Sequence, residues 1–169
     1  MPDGGMERNV AVMDFGASST TFSVLRDLKV SYTRDFAFGG QQLTEEIMRR
    51  YDMTPEQASF FMRGEPGPEN FDEEVLEPFM LNVVHQISRA LQFYSSSAEF
   101  SNIRTIYLSG SMASIKGLAD VVEQELGMKA AIADPVAGLE VAPSVAVAAL
   151  NRNAPNLMVA MGLALRGFD

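Results

Sequence analysis

The chain has 169 residues, 47% of them hydrophobic and 21% charged, and carries a net charge of −9. That length and composition fit one globular domain, or two small lobes sharing a core, and exclude a disordered polymer. The acidic balance argues against general nucleic-acid binding, while the absence of cysteine removes disulfides and thiolate metal sites and fits a reducing cytoplasm.

The start, "MPDGGMERN", has no apolar core and is not a signal peptide. Residues 1–8 read either as a flexible tail or as the edge of a domain cut from a longer protein, and composition leaves both open. Residues 10–15 and 20–25 read as strands, and 29–36 as a third in which Val30, Tyr32 and Arg34 alternate with polar neighbours. Short connections make the three an antiparallel meander. Gly39-Gly40 then precede a helix with Leu43, Ile47 and Met48 on one face. A short helix follows, capped by Thr54 with Gln57 three residues on, opened by Pro55 and closed by Gly64.

Residues 71–100 read as mostly one long helix. Its apolar stripe runs through Leu76, Met80, Val83, Ile87, Leu91 and Tyr94, with Pro78 near its start or kinking it. The spacing predicts a strand over 103–108, a helix over 115–126 closed by Gly127, and a short strand over 129–133. Residues 136–154 carry no clear period, and 154–166 form an apolar helix with Pro155 in its first turn. Its longest apolar run, 157–165, is about half the length a membrane span needs. Apolar on every side, it reads as a core helix, with Gly162 marking close contact with a sheet. The element order β-β-β-α-α-α-β-α-β-(α)-α is a mixed α/β pattern.

Several places carry candidate chemistry. Asp14, at the end of a buried strand, is placed to aim at a bound metal or at water attacking a phosphate. Gly16 lets backbone N–H groups approach an anion, and Ser18, Ser19 and Thr20 add hydroxyls. Asp14-Phe15-Gly16 is equally an ordinary hairpin turn capped by its own carboxylate. "IYLSGSMASIKGL", residues 106–118, is a strand–loop–helix junction of the kind that places helix N–H groups beside a ligand, or a plain connecting loop. His85, the sole histidine, falls in the polar register of the long helix and reads as a surface residue, so no Ser-His-Asp triad or metal cluster is expected.

Taken in order, D-F-G-A-x-x-T, R-x-F-x-F-G-G-x-Q-L-T-x-x-I, E-V-L-E-P-F, S-R-x-L-Q-F-Y, L-S-G-S-x-A-x-I-x-G-L and A-P-x-L-M-V-A-M-G-L-A-L-R resemble the PilM family of type IV pilus assembly and, more distantly, the cell-division protein FtsA. The resemblance covers nearly the whole chain but only the second half of the family's length. It implies an α/β, actin-like (ribonuclease H-like) ATPase-fold domain, one of two similar halves with nucleotide in the cleft between them. Residues 9–40 and 102–169 would form its core subdomain and 41–101 an inserted helical one. Matched residue by residue, Asp14, Gly16, Ala17 and Thr20 fall on the second phosphate loop, with Asp14 holding a metal through water or orienting an attacking water. Gly39 and Gly40 fall beside the nucleotide, and Gly110, Ser111 and Met112 on the adenosine loop.

The cofactor implied is ATP with Mg2+ in the full-length protein; this fragment alone either retains it or binds none. Ser111 stands where the family usually has a second glycine, and Ser59 and Met62 replace the polar pair of its A-E-x-x-K motif. Each lost hydrogen-bonding group would weaken nucleotide binding by about 1–3 kcal/mol. The resemblance implies a cytoplasmic scaffold, peripheral at the inner membrane, that docks the N-terminal tail of a PilN-type membrane protein through the missing half and meets other pilus assembly proteins. An actin-like ATPase, a sugar-kinase relative or an FtsA-like filament protein is the alternative. The isolated chain is expected to lack ATPase activity and to self-associate through apolar surface exposed on the old cleft and around its last helix.

Overall fold

The computed structural model describes residues 9–62, 66–97 and 103–166. The expected tail at 1–8 and the helix-closing Gly64 lie outside them. Strands β1 (Asn9–Phe15), β2 (Thr20–Arg26) and β3 (Lys29–Phe36) form the expected antiparallel meander. Strands β4 (Ile103–Gly110) and β5 (Lys129–Ile132) join parallel to β1 and to β4, giving one sheet in the order β3-β2-β1-β4-β5.

Strand alternation sets the core. Ala11, Met13 and Phe15 pair with Val24, Phe22 and Thr20 on one side, and with Ile106, Leu108 and Gly110 on the other. All but Gly110 are buried. Helices α1 (Gln41–Tyr51), α3 (Glu77–Ser97) and α4 (Leu118–Leu126) supply the opposing apolar side chains. Leu43, Ile47, Val83, Ile87, Leu118 and Val122 join the strand residues in one contiguous cluster. Tyr32 ties the sheet to α3, its ring 5.3 Å from that of Tyr94 and 6.1 Å from that of Phe22, both edge-on.

The third strand departs from simple alternation. Val24 pairs with Tyr32 and Leu25 with Val30, so Ser31 is an extra residue, and its hydroxyl donates to the Val24 carbonyl at 3.1 Å. The bulge turns Val30 to the other face, where it is 64% exposed. It therefore does not share a face with Tyr32.

Helix α2 (Pro55–Met62) has the expected reciprocal cap: the Gln57 amide donates to Thr54 Oγ1, and the Thr54 amide to Gln57 Oε1. The long helix opens with a π-wound turn, Asp72–Leu76, in which the Glu77 amide bonds to the Asp72 carbonyl. Pro78 follows at once. It has no N–H to give to Glu74, and its ring crowds the preceding turn, which accounts for the wider winding.

Helix α4 begins at Leu118 rather than 115, because residues 111–117 form turns pinned by the buried Met112, Ala113 and Ile115. Within the stretch of unclear period lies α5 (Val147–Asn153). A 3-10 turn, Ala154–Leu157, leads into α6 (Met158–Leu165).

The core-helix expectation fails for α6. None of its residues is buried, Val159, Leu163 and Leu165 are each more than 60% exposed, and a side chain at Gly162 would meet open space. The sequence carries an apolar helix, but the described residues do not cover it.

Candidate functional site

Because β1 and β4 run parallel, they end side by side, with Phe15 opposite Gly110 and Asp14 opposite Ser109. Strand β3 ends at the same edge of the sheet. Three loops therefore converge: residues 16–19, 37–40 and 111–113. The Gly40 amide donates to the Gly16 carbonyl at 3.0 Å and the Gln41 amide to the Ala17 carbonyl at 2.8 Å. The Ser111 amide donates to the Phe15 carbonyl at 3.0 Å. Asp14, Gly16, Ala17, Gly39, Gly40, Gly110 and Ser111, far apart in sequence, lie in one place.

The glycines are demanded by this convergence. A Cβ on Gly39 would fall 2.7 Å from the Gly16 carbonyl oxygen and closer still to that of Ala17. Gly110 has φ +83°, and a Cβ there would lie 2.8 Å from the Phe15 carbonyl carbon. Both positions are backbone against backbone, where no side chain can move aside.

Asp14 does not cap its own turn. Its Oδ1 accepts from Ser109 Oγ at 2.9 Å, across the β1–β4 pair, and the carboxylate is half-buried. The hairpin is closed instead by the Gly16 amide donating to the Ser19 carbonyl at 2.9 Å. Ser109 is the residue that sequence reasoning missed. Its only signal was its place before Gly110 on a strand whose partner the sequence does not name.

Two residues matched to the site face inward. Thr20 is fully buried, and its hydroxyl donates to the Phe38 carbonyl at 2.6 Å, bracing the 37–40 loop. Thr20→Val should strand that carbonyl and cost about 2 kcal/mol in urea unfolding, while Thr20→Ser should retain most of the stability. The side chain of Met112 is fully buried, so its contact with any ligand runs through the backbone. Ala58 is buried and Ser59 Oγ donates to the Glu56 carbonyl at 2.7 Å. The Met62 side chain lies outside the described residues.

The chemistry fits the binding of an anion. Residues 17–19 are exposed, and their amides and the Ser18 and Ser19 hydroxyls make no hydrogen bond to another described group. Successive outward N–H groups of this kind cradle phosphate oxygens. Asp14 stands beside them, and its Oδ2 takes no hydrogen bond from another described group. Among the described residues, no three His, Cys, Asp or Glu side chains gather to hold a metal directly.

A family model described as type IV pilus assembly protein PilM matches residues 1–168. The chain belongs to the PilM family. It is similar to a chain of a PilM–PilN type IV pilus biogenesis complex, with 26% identity and a TM-score of 0.83 over 98% of this chain and 47% of that one. The ethanolamine utilization protein EutJ of Carboxydothermus hydrogenoformans gives 18% identity and a TM-score of 0.66, over 94% of this chain and 48% of EutJ. MreB5 of Spiroplasma citri bound to ADP gives 12% and 0.64, over 96% and 54%.

The fold is thus actin-like, and this PilM-family chain makes up about half of it, spanning about half the length of the structures it matches. No helix among the described residues is long and apolar enough to cross a membrane.

Proposed function

We propose that this chain forms one wall of a nucleotide cleft in an actin-like scaffold of type IV pilus assembly. The observation that supports this reading is the meeting of the 16–19, 37–40 and 111–113 loops beside Asp14. A longer polypeptide supplies the facing wall. The assembled protein sits at the cytoplasmic side of the inner membrane, docked on the N-terminal tail of a PilN-type membrane protein. ATP with Mg2+, when bound, supplies a structural ligand whose phosphates and metal draw the two walls together.

The residues of this chain have separate tasks in that reading. The amides of 17–19 donate to phosphate oxygens. Ser109 donates to Asp14 Oδ1 and fixes the carboxylate, and Asp14 would hold Mg2+ through water. The Gly110–Met112 backbone borders the nucleoside. Ser111, bonded to Phe15 and carrying a side chain where the family has glycine, narrows that border.

A Mg·ATP titration followed by amide NMR shifts tests the reading. Shifts should concentrate on residues 16–19 and 110–112 and fade in Asp14→Ala. Shifts confined elsewhere, or none at millimolar nucleotide, would overturn it. Hydrolysis is a separate matter. One wall lacks the groups that clamp both sides of a transferring phosphoryl. The chain should hydrolyse ATP no faster than its Asp14→Ala variant.

A further inference from the structure

On the outward side of α3 lies an open hollow of about 730 Å³ bordered by His85, Arg89, Gln92 and Ser96. A second hollow, of about 400 Å³, adjoins it against the end of β3 and includes Arg34, Asp35 and Asn82. Gln86, Arg89 and Phe93 line both, so the two form one groove. It lies beyond β3, the edge strand farthest in the sheet from β4 and β5; its inner end touches Ala37 and Phe38 of the 37–40 loop, while Arg34, Arg89 and Phe93 stand outside the three loops of the site.

The groove's charge runs against that of the molecule. The chain carries −9 overall, yet from 78 to 97 it contains neither Asp nor Glu. Asp35 is the single carboxylate among the described lining residues, and its Oδ1 already accepts from Thr21 Oγ1 at 2.7 Å.

Against it stand Arg34 and Arg89. The Arg34 guanidinium carbon sits 3.7 Å from the centre of the Phe93 ring, and that of Arg89 5.6 Å from it. Neither arginine has a carboxylate within ion-pair distance among the described residues. Stacking on a ring fixes a guanidinium while leaving its N–H edge free to fork onto a carboxylate. In a chain with 22 acidic residues, two arginines held on one aromatic ring, with no ion-pair partner among the described residues, present two guanidinium forks to an outside anion.

The shape favours a polypeptide over a small anion. From Asn82 to Ser96 the groove follows α3 for roughly 21 Å, the span of about six residues of extended chain. Along α3 it offers side-chain amides and hydroxyls, including Asn82, Gln86, Gln92 and Ser96, which suit the N–H and C=O groups of a main chain. Gln86 Nε2 donates to Asn82 Oδ1 at 3.3 Å and Ser96 Oγ to the Phe93 carbonyl at 2.9 Å, which leaves each with further donor or acceptor capacity. We propose that this groove binds an acidic, extended peptide segment of a partner protein, with Arg34 and Arg89 each taking a carboxylate.

The test uses a fluorescent hexapeptide alternating glutamate and serine, with its lysine–serine counterpart as control, read by anisotropy on the unaltered protein. The acidic peptide should bind and the basic one should not, and added salt should weaken the binding. Arg34→Gln and Arg89→Gln should each reduce affinity on the order of tenfold. Arg34→Lys, which keeps the charge but not the fork, should fall between. Amide shifts in the unaltered protein should follow residues 82–96 and Arg34, which keeps the test open if a variant folds poorly. Equal binding of the basic peptide, or unchanged affinity in both glutamine variants, would overturn the proposal. So would inorganic phosphate shifting the same amides as strongly as the peptide, the mark of a small-anion site.

Discussion

Replacing Gly110 with alanine is expected to destabilise the fold by about 3–5 kcal/mol, and Gly39→Ala by a similar amount. Gly39→Ala sets a methyl group against the Gly16 and Ala17 carbonyls of another loop, Gly110→Ala sets one against the Phe15 backbone at the end of β1, and at Gly110 the left-handed φ adds strain. For a domain of this size each kcal/mol moves the melting temperature by about 2–4 °C, so thermal unfolding by circular dichroism should show a fall of roughly 6–20 °C. Gly162→Ala is the control. That glycine sits within α6 with open space around it, and alanine there should raise stability by up to about 1 kcal/mol. A Gly110→Ala protein melting within about 2 °C of the unaltered one would show that the three loops do not meet as described.

The second large effect concerns α6. Val159 and Leu163 lie one turn apart and are 63% and 62% exposed, and Leu165 is 61% exposed. From 158 to 165 the helix carries no charge. A face of this kind is covered in most proteins, and for the isolated chain the available cover is a second copy. Light scattering should therefore give a mass above the 18.4 kDa of one chain. Val159→Glu with Leu163→Glu should return it to a single chain. Each buried aliphatic side chain contributes about 1.5–3 kcal/mol, so the pair should weaken self-association by at least about two orders of magnitude. A single-chain mass for the unaltered protein across a wide concentration range would refute the expectation.

Much of the architecture is legible in the residues because its signals are local. Runs of Val, Phe and Leu bounded by turn residues mark the strands, and the stripe from Leu76 to Tyr94 marks α3. Thr54 and Gln57 mark the start of a helix. What escapes is whatever depends on a partner distant in sequence. The bulge at Ser31 is set by pairing with Val24 and Leu25, and no residue type announces it.

The nakedness of α6 escapes for a related reason. An apolar stretch says that it seeks cover, not whether cover is present. The site divides in the same way. Asp14 and the glycines stand out as residue types that suit an anion loop, whereas the bond from Ser109 to Asp14 joins residues brought together only by the parallel pairing of β1 and β4. Thr20 carries the right chemistry for a phosphate contact, but its burial gives that chemistry to Phe38. Arg34, Arg89 and Phe93 meet across a sheet edge and a helix, a combination with no spacing rule to reveal it.

The parallel pairing of β1 with β4 also bears on how the protein is made. During translation the meander emerges ahead of β4, and the open side of β1 is left without its neighbour until residue 110 has left the ribosome. At about 5–20 residues per second that wait is roughly 5–20 s. For this time the nascent chain presents an unpaired row of N–H and C=O groups flanked by Val10, Ala11 and Met13, a template for mispairing with other chains. A trigger-factor-like holdase acting at the exit tunnel should matter more for the yield of this protein than for one whose central strands are adjacent in sequence.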